Sequence, residues 1–300
     1  RSGVDRRRFL AVMAAAAANS PVRAVAAAGA YETGLLWRID KPGVRPSYVF
    51  GTMHLPDARL LPLPEPVADA FDACRRLIVE MLPNPAVARR FAEAMQLESG
   101  ATLDALLSSA HFGRLVERLA VRGYSRESVR QLKPWAALLQ VSARPADAAG
   151  EKSIDTELFL RARFANKSVE ELDTVEEQIA VFDDIPLTSQ LSLLAAAIDF
   201  HPRLAESAEQ VMQAYLARDL AEITRAGRLL ERERPELAAH QRMLEKKVIA
   251  DRSVVMAYRL QYYLRRGESF AAIGASHLHG PAGVPALLAD EYEWRVRRLW

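Results

Sequence analysis

"SFAAIGASHLHG", residues 269–280, runs through an apolar strand-like segment, turns at Gly274 and presents His277 just beyond the turn. The same order stands near the start of the chain in "SYVFGTMHL", residues 47–55, with Gly51 and His54 at the matching places. Each copy is followed by short helical text and a second strand. After the first these are "PVADAFDAC" and "RRLIVEM", residues 66–81; after the second, "PAGVPALLAD" and "EWRVRRLW", residues 281–300. A repeated order of strand, Gly-x-x-His-Leu, helix and strand predicts two related half-units joined in one mixed central β-sheet, an α/β (α+β-like) fold.

Working outward, "GLLWRID", residues 34–40, and the turn text "KPGVRP" predict a β-hairpin whose second strand is "SYVFGTMHL". Pro66 suits the first turn of a helix, and "RRLIVEM" reads as a buried strand ending near Glu80. The text from about 86 to 266 is almost entirely helical and predicts a large insertion between the half-units. In it Thr102 is an expected N-cap, Gly123 an expected stop, and Thr174 with Glu177 an expected capping box. "LAESAEQVMQAYLARDLAEITRAGRLLERE", residues 204–233, is amphipathic throughout.

Three hundred residues, half of them apolar, suffice for a substantial core, so a disordered chain is excluded. The formal charge of +2 comes from arginines mixed with acids, as in "RAGRLLERERPE", not from a basic stripe, so nucleic acid is not an expected partner. Cys74 is the sole cysteine, which rules out an intramolecular disulfide and a cysteine zinc site; its apolar context predicts a buried, inert thiol. Residues 1–30 read as a signal peptide of twin-arginine type: Arg6 and Arg7 precede Phe9 and Leu10, and Ala24-Val25-Ala26 offers a small-x-small cleavage site. The expected location is periplasmic or exported, with residues 31–300 as a single domain. No segment predicts a stable membrane span.

At the carboxyl edge of an open sheet, where ligand crevices form, His54 and His277 would face each other. Gly51 and Gly274 are expected to adopt backbone conformations closed to other residues, turning each histidine inward. Paired imidazoles suit a divalent zinc, manganese or iron ion. Glu80, at the end of its strand on the same edge, is the expected third ligand or general base, since a carboxylate there needs a partner. Arg252 would act as an anion or oxyanion clamp if its helix faces the crevice. His279 follows His277 by two residues and would share its side in an extended segment, whereas His111, His201 and His240 read as ordinary surface residues. Ser276 lacks the second small residue of a nucleophile elbow, because Leu278 stands there, so histidine chemistry is expected over a serine esterase.

These residues resemble the TraB/PrgY/GumN family, which includes the TIKI proteins. The resemblance runs over nearly all of residues 31–300, through "LLWRIDKPGVRPSYVFGTMHLPD", "LIVEM", "LKPWAALL", "KSVEELDTVEEQI", "DRSVVMAYRL" and "IGASHLHGPAGVPALL", in the family's order. It implies a fold related to the erythromycin esterase and ChaN-like group. For TIKI-like members it implies a metal-dependent peptidase acting on a peptide or protein substrate, with manganese or cobalt ahead of zinc. His54 and His277 match the motif histidines, Glu80 the acidic residue and Arg252 the late-helix arginine. The chain departs at Asp173, where the family often has Glu, and at Ser253, where it often has Asn. The alternative expectation is a non-catalytic periplasmic protein that sequesters a peptide or haem-like ligand. The oligomeric state is not legible.

Overall fold

Pro42 and Gly43 close the first hairpin, and Gly43 takes φ +76°, the conformation that a turn with proline in its second place asks of the third. Lys41 pairs with Val44 across it. The structure is a computed structural model and describes residues 29–98, 100–143 and 152–300. Apart from its last two residues, the export signal read at 1–30 lies outside the described residues.

Six strands form one mixed sheet: β1 (Leu36–Lys41), β2 (Val44–Thr52), β3 (Arg76–Val79), β4 (Ser168–Glu171), β5 (Ser269–Gly274) and β6 (Arg295–Arg298). Their spatial order is β4-β3-β5-β2-β1-β6. β4, β3, β5 and β2 run parallel, while β1 is antiparallel to β2 and to β6. β5 is central and lies between two parallel partners. Its residues Ser269 to Ile273 are all buried, which suits the unbroken apolar text of that segment. The two strands carrying the Gly-x-x-His copies lie side by side, with Thr52 opposite Gly274. Helices Glu65–Asp72 and Val284–Asp290 follow them, and Pro66 sits in the first turn of the former.

The almost entirely helical text of 86–266 holds one strand that its pattern did not announce, β4, "SVEE". β4 is short, carries two glutamates and sits at the sheet edge, where charge blunts unwanted pairing. Such a strand has no apolar alternation to announce it. β6, at the opposite edge, is built mostly of arginine for the same reason.

The helices enclose a second hydrophobic core beside that of the sheet, centred on Trp135, Leu193, Leu194 and Ile198 with Phe112 and Leu115. Thr174 and Glu177 do form the capping box. Thr102, however, precedes only a single tight turn, Leu103–Ala105, and Ser108 caps the helix Ser109–Ala120 instead. The long amphipathic stretch is broken. Arg218, at φ +60°, separates the helix His201–Leu216 from Leu220–Gly227, which a third, Leu229–Glu233, follows. Cys74 is buried, and burial pushes its thiol up to about 12.

Among the described residues no single helix is long and apolar enough to cross a membrane. The helices Val175–Asp183 and Leu187–Asp199 pass that test only as a pair bent by 86°. Their apolar residues, such as Leu193 and Leu194, are spent inside the second core.

Candidate functional site

Four parallel strands end on one edge of the sheet, and each delivers a side chain there. His54 follows β2, Glu80 follows β3, Asp173 follows β4 and His277 follows β5. The ladder between β3 and β4 continues past both strands, with Asp173 N–H donating to the Glu80 carbonyl at 2.8 Å. That bond fixes the two acidic residues side by side.

Glu80 lies at the centre and its side chain is 10 % exposed. Its Oε1 accepts from Gly274 N–H at 2.6 Å, and its Oε2 accepts from Arg252 Nη2 at 2.5 Å. His54 Nε2 and His277 Nε2 stand 3.6 and 3.9 Å from the same Oε1. Burial would raise the Glu80 carboxyl, but the His54 imidazole and the Arg252 guanidinium outweigh it and hold the group well below the usual carboxylate range.

Each histidine is oriented from behind. Ser253 donates its hydroxyl proton to the Ile249 carbonyl at 2.8 Å, so at 2.9 Å from His277 Nδ1 it can only accept. His277 therefore carries its proton on Nδ1 and turns the lone pair of Nε2 toward Glu80 and Arg252. Burial keeps it neutral, pushing its pKa down to about 4, with the Arg252 charge acting the same way against the pull of Glu80. His54 is held by Asp155, whose Oδ2 lies 2.9 Å from Nδ1 while its Oδ1 accepts from Thr52 Oγ1 at 2.8 Å. The surrounding protein disfavours charge on His54, but Asp155 and Glu80 together raise its pKa. Its side chain is 60 % exposed, so solvent screens part of that attraction.

Arg252 reaches the crevice from the helix Asp251–Leu264 and ties Glu80 to Asp173. Its Nε and Nη2 donate to Asp173 Oδ2 at 3.0 and 2.9 Å, and Nη1 lies 3.5 Å from His277 Nε2. Arg259, about two turns further along the same helix, holds the other oxygen of Asp173 at 3.1 Å. A π-helical segment, Lys246–Ala250, leads into Arg252 and Ser253 and supplies the Ile249 carbonyl; such segments are frequent at functional sites.

The expected residues His54, Glu80, Arg252 and His277 thus converge. The reason expected for the glycines is corrected. Gly274 has φ −55°, open to any residue, and Gly51 is not in the left-handed region either. What both supply is space. A Cβ at Gly274 would stand 3.1 Å from Glu80 Oε1 and 3.4 Å from His54 Nε2, and one at Gly51 would stand 2.6 Å from Leu278 Cδ1. His279 leaves the site because residues 275–278 form a tight turn instead of an extended segment, and its Nδ1 meets Thr224 Oγ1 at 3.1 Å. His111 and His240 lie in the helical region against Asp199 and Ser189. Ser276 sits in the tight turn Ala275–Leu278, and both site histidines turn their Nε2 toward Glu80.

Sequence reading missed Asp155 and Ser253 as partners of the histidines and undervalued Asp173. Asp155 is in the first turn of Ile154–Phe164, a hundred residues from His54, and no local pattern marks it. Asp173 and Ser253 carried a signal of their own: both were the departures within matched motifs.

Among the described residues no group of three or more His, Cys, Asp or Glu side chains is already closed to hold an ion. The donor chemistry nevertheless fits one. At nitrogen and oxygen bond lengths of about 2.0–2.2 Å, two donors to a tetrahedral ion stand roughly 3.4 Å apart. The observed 3.6 and 3.9 Å are longer than that by up to about half an ångström. Outer partners on Nδ1 that leave Nε2 inward are the usual support of metal-ligating histidines.

Fold and site define a mixed α/β protein with a histidine and carboxylate crevice at the carboxyl ends of its parallel strands. The chain belongs to the TraB/PrgY/gumN family, whose model matches residues 35–296. An uncharacterized protein of Treponema pallidum (strain Nichols) is 26 % identical over 259 residues, covering 79 % of this chain and 75 % of that protein. No solved structure gives a significant match.

Proposed function

We propose that the protein is an exported metal-dependent hydrolase acting on peptide bonds. The observation that carries this reading is the convergence of two Nε2 atoms and one carboxylate oxygen, with each imidazole held through Nδ1 by a separate partner. His54, His277 and Glu80 would hold a manganese, cobalt or zinc ion, which when bound lowers the pKa of a coordinated water and polarises a carbonyl.

The protein's own groups do the rest. His277 enters the site already neutral with its Nε2 lone pair turned toward Glu80, so it needs no proton loss. His54 is protonated more readily and must release the Nε2 proton to serve as a ligand, which links loading to pH. The Gly274 N–H and Arg252 keep Glu80 anionic and fixed in direction. Arg252 Nη1, which lies 3.5 Å from His277 Nε2, would meet negative charge developing on a carbonyl oxygen.

The test is metal content and peptide cleavage, measured on the wild type and on His54→Ala/His277→Ala. One ion per chain with cleavage in the wild type, and neither in the variant, is expected. Cleavage that survives both substitutions would overturn the proposal.

A further inference from the structure

We infer that an apolar cavity beside His54 receives an uncharged hydrophobic side chain of the substrate and sets specificity. This rests on the hydrolase reading for its consequence, but the cavity can be probed without turnover. It has a volume of about 340 Å³ and lies between the sheet unit and the second core, lined by Leu55, Trp135, Leu193, Val211 and Leu230 among others.

Three observations point to this occupant. The first is position. Leu55 follows His54 directly, and consecutive Cα atoms are about 3.8 Å apart, so the wall begins within one or two substrate residues of the crevice. Val211 lies one turn before Tyr215, whose hydroxyl donates to the Gly51 carbonyl at 2.8 Å and anchors that helix to the strand bearing His54. The second is charge: among the described residues, no Asp, Glu, Lys, Arg or His lines the cavity. The third is that its buried polar groups are already committed. Gln190 accepts from Trp135 N–H and donates to the Ile185 carbonyl, Ser207 donates to the Ala226 carbonyl, and Gln241 donates to Glu245. An ionic or strongly polar ligand would enter unpaired and pay for desolvation. The volume is near the lower end of the roughly 300–1,000 Å³ typical of ligand pockets, which suits one large side chain such as Leu, Met or Phe. Leu139, which also lines the cavity, is 36 % exposed.

Ala208, a half-buried small residue of the wall, gives a way to fill the cavity. The experiment uses the whole chain and follows N-acetyl-phenylalaninamide, N-acetyl-leucinamide and N-acetyl-aspartate amide by NMR shifts of the Trp135 indole. Metal binding is measured in parallel. The expected result is binding of the Phe and Leu amides, at least ten-fold weaker binding of the Asp amide, and at least ten-fold loss for Ala208→Leu with metal binding unchanged. Val211→Phe serves as a second filling variant should Ala208→Leu fail to fold. No preference for apolar amides, or undiminished binding in a folded filled variant, would overturn the inference. Peptide cleavage without apolar preference would overturn it while leaving the hydrolase reading intact; apolar binding without metal or cleavage would support the cavity and sink that reading.

Discussion

Ser253 Oγ lies 2.9 Å from His277 Nδ1 and has already given its own proton to the Ile249 carbonyl. One hydroxyl thus selects the tautomer of a site histidine. In Ser253→Ala the imidazole loses that constraint, and metal affinity should fall about 10- to 100-fold, the usual effect of losing an outer partner. Calorimetric titration with manganese, cobalt and zinc measures it. Unchanged affinity in a folded Ser253→Ala protein would show that the tautomer is set by something else.

Asp155 does for His54 what Ser253 does for His277, but with charge. Asp155→Asn removes the anion while keeping a hydrogen-bonding shape, so the pKa of His54 should fall in metal-free protein. An NMR titration of the His54 ring reads the shift directly, with wild type as reference.

Gly274→Ala should separate site from fold. The new Cβ would press on Glu80 Oε1 at 3.1 Å and His54 Nε2 at 3.4 Å, so metal binding and activity should be lost with little change in melting temperature. Gly51→Ala should do the reverse, since its Cβ meets the buried Leu278 at 2.6 Å and overpacking of this kind costs about 1–3 kcal/mol. Chemical denaturation of both variants distinguishes them.

Arg252→Ala would leave Glu80 and Asp173 buried without their shared cation. Breaking a buried ion pair from one side costs about 3–5 kcal/mol, so a large loss of stability is expected, and it should be smaller in Arg252→Ala/Glu80→Gln. Urea unfolding of the two variants provides the comparison.

A neutral buried His277 also sets a pH dependence. Its folded pKa of about 4 lies below the ordinary 6.5, so between those values the unfolded chain binds more protons than the folded one. The stabilising contribution is full above about pH 6.5 and declines as pH falls toward 4. Chelator-treated wild type should lose stability over that window more steeply than His277→Gln; identical slopes would contradict a neutral His277.

The sequence by itself determined the parts that depend on local pattern. The apolar run of β5, the Pro42-Gly43 hairpin, the capping box at Thr174 and the two Gly-x-x-His copies are short-range signals, since strand burial, turn chemistry and capping act within a few residues. From strand ends alone His54, Glu80 and His277 could be set on one edge. Tertiary structure decided what stands behind them. β4 is a charged edge strand without periodicity, so Asp173 gained its place only through pairing with β3. Asp155 and Ser253 reach the histidines from helices 101 and 24 residues away in sequence. Hydrogen bonds between such distant segments follow from how helices pack on the sheet, and residue spacing does not encode that. Gly274 shows the same division: its identity was legible, but the reason for it, room for Glu80 and His54, exists only once three strands are side by side.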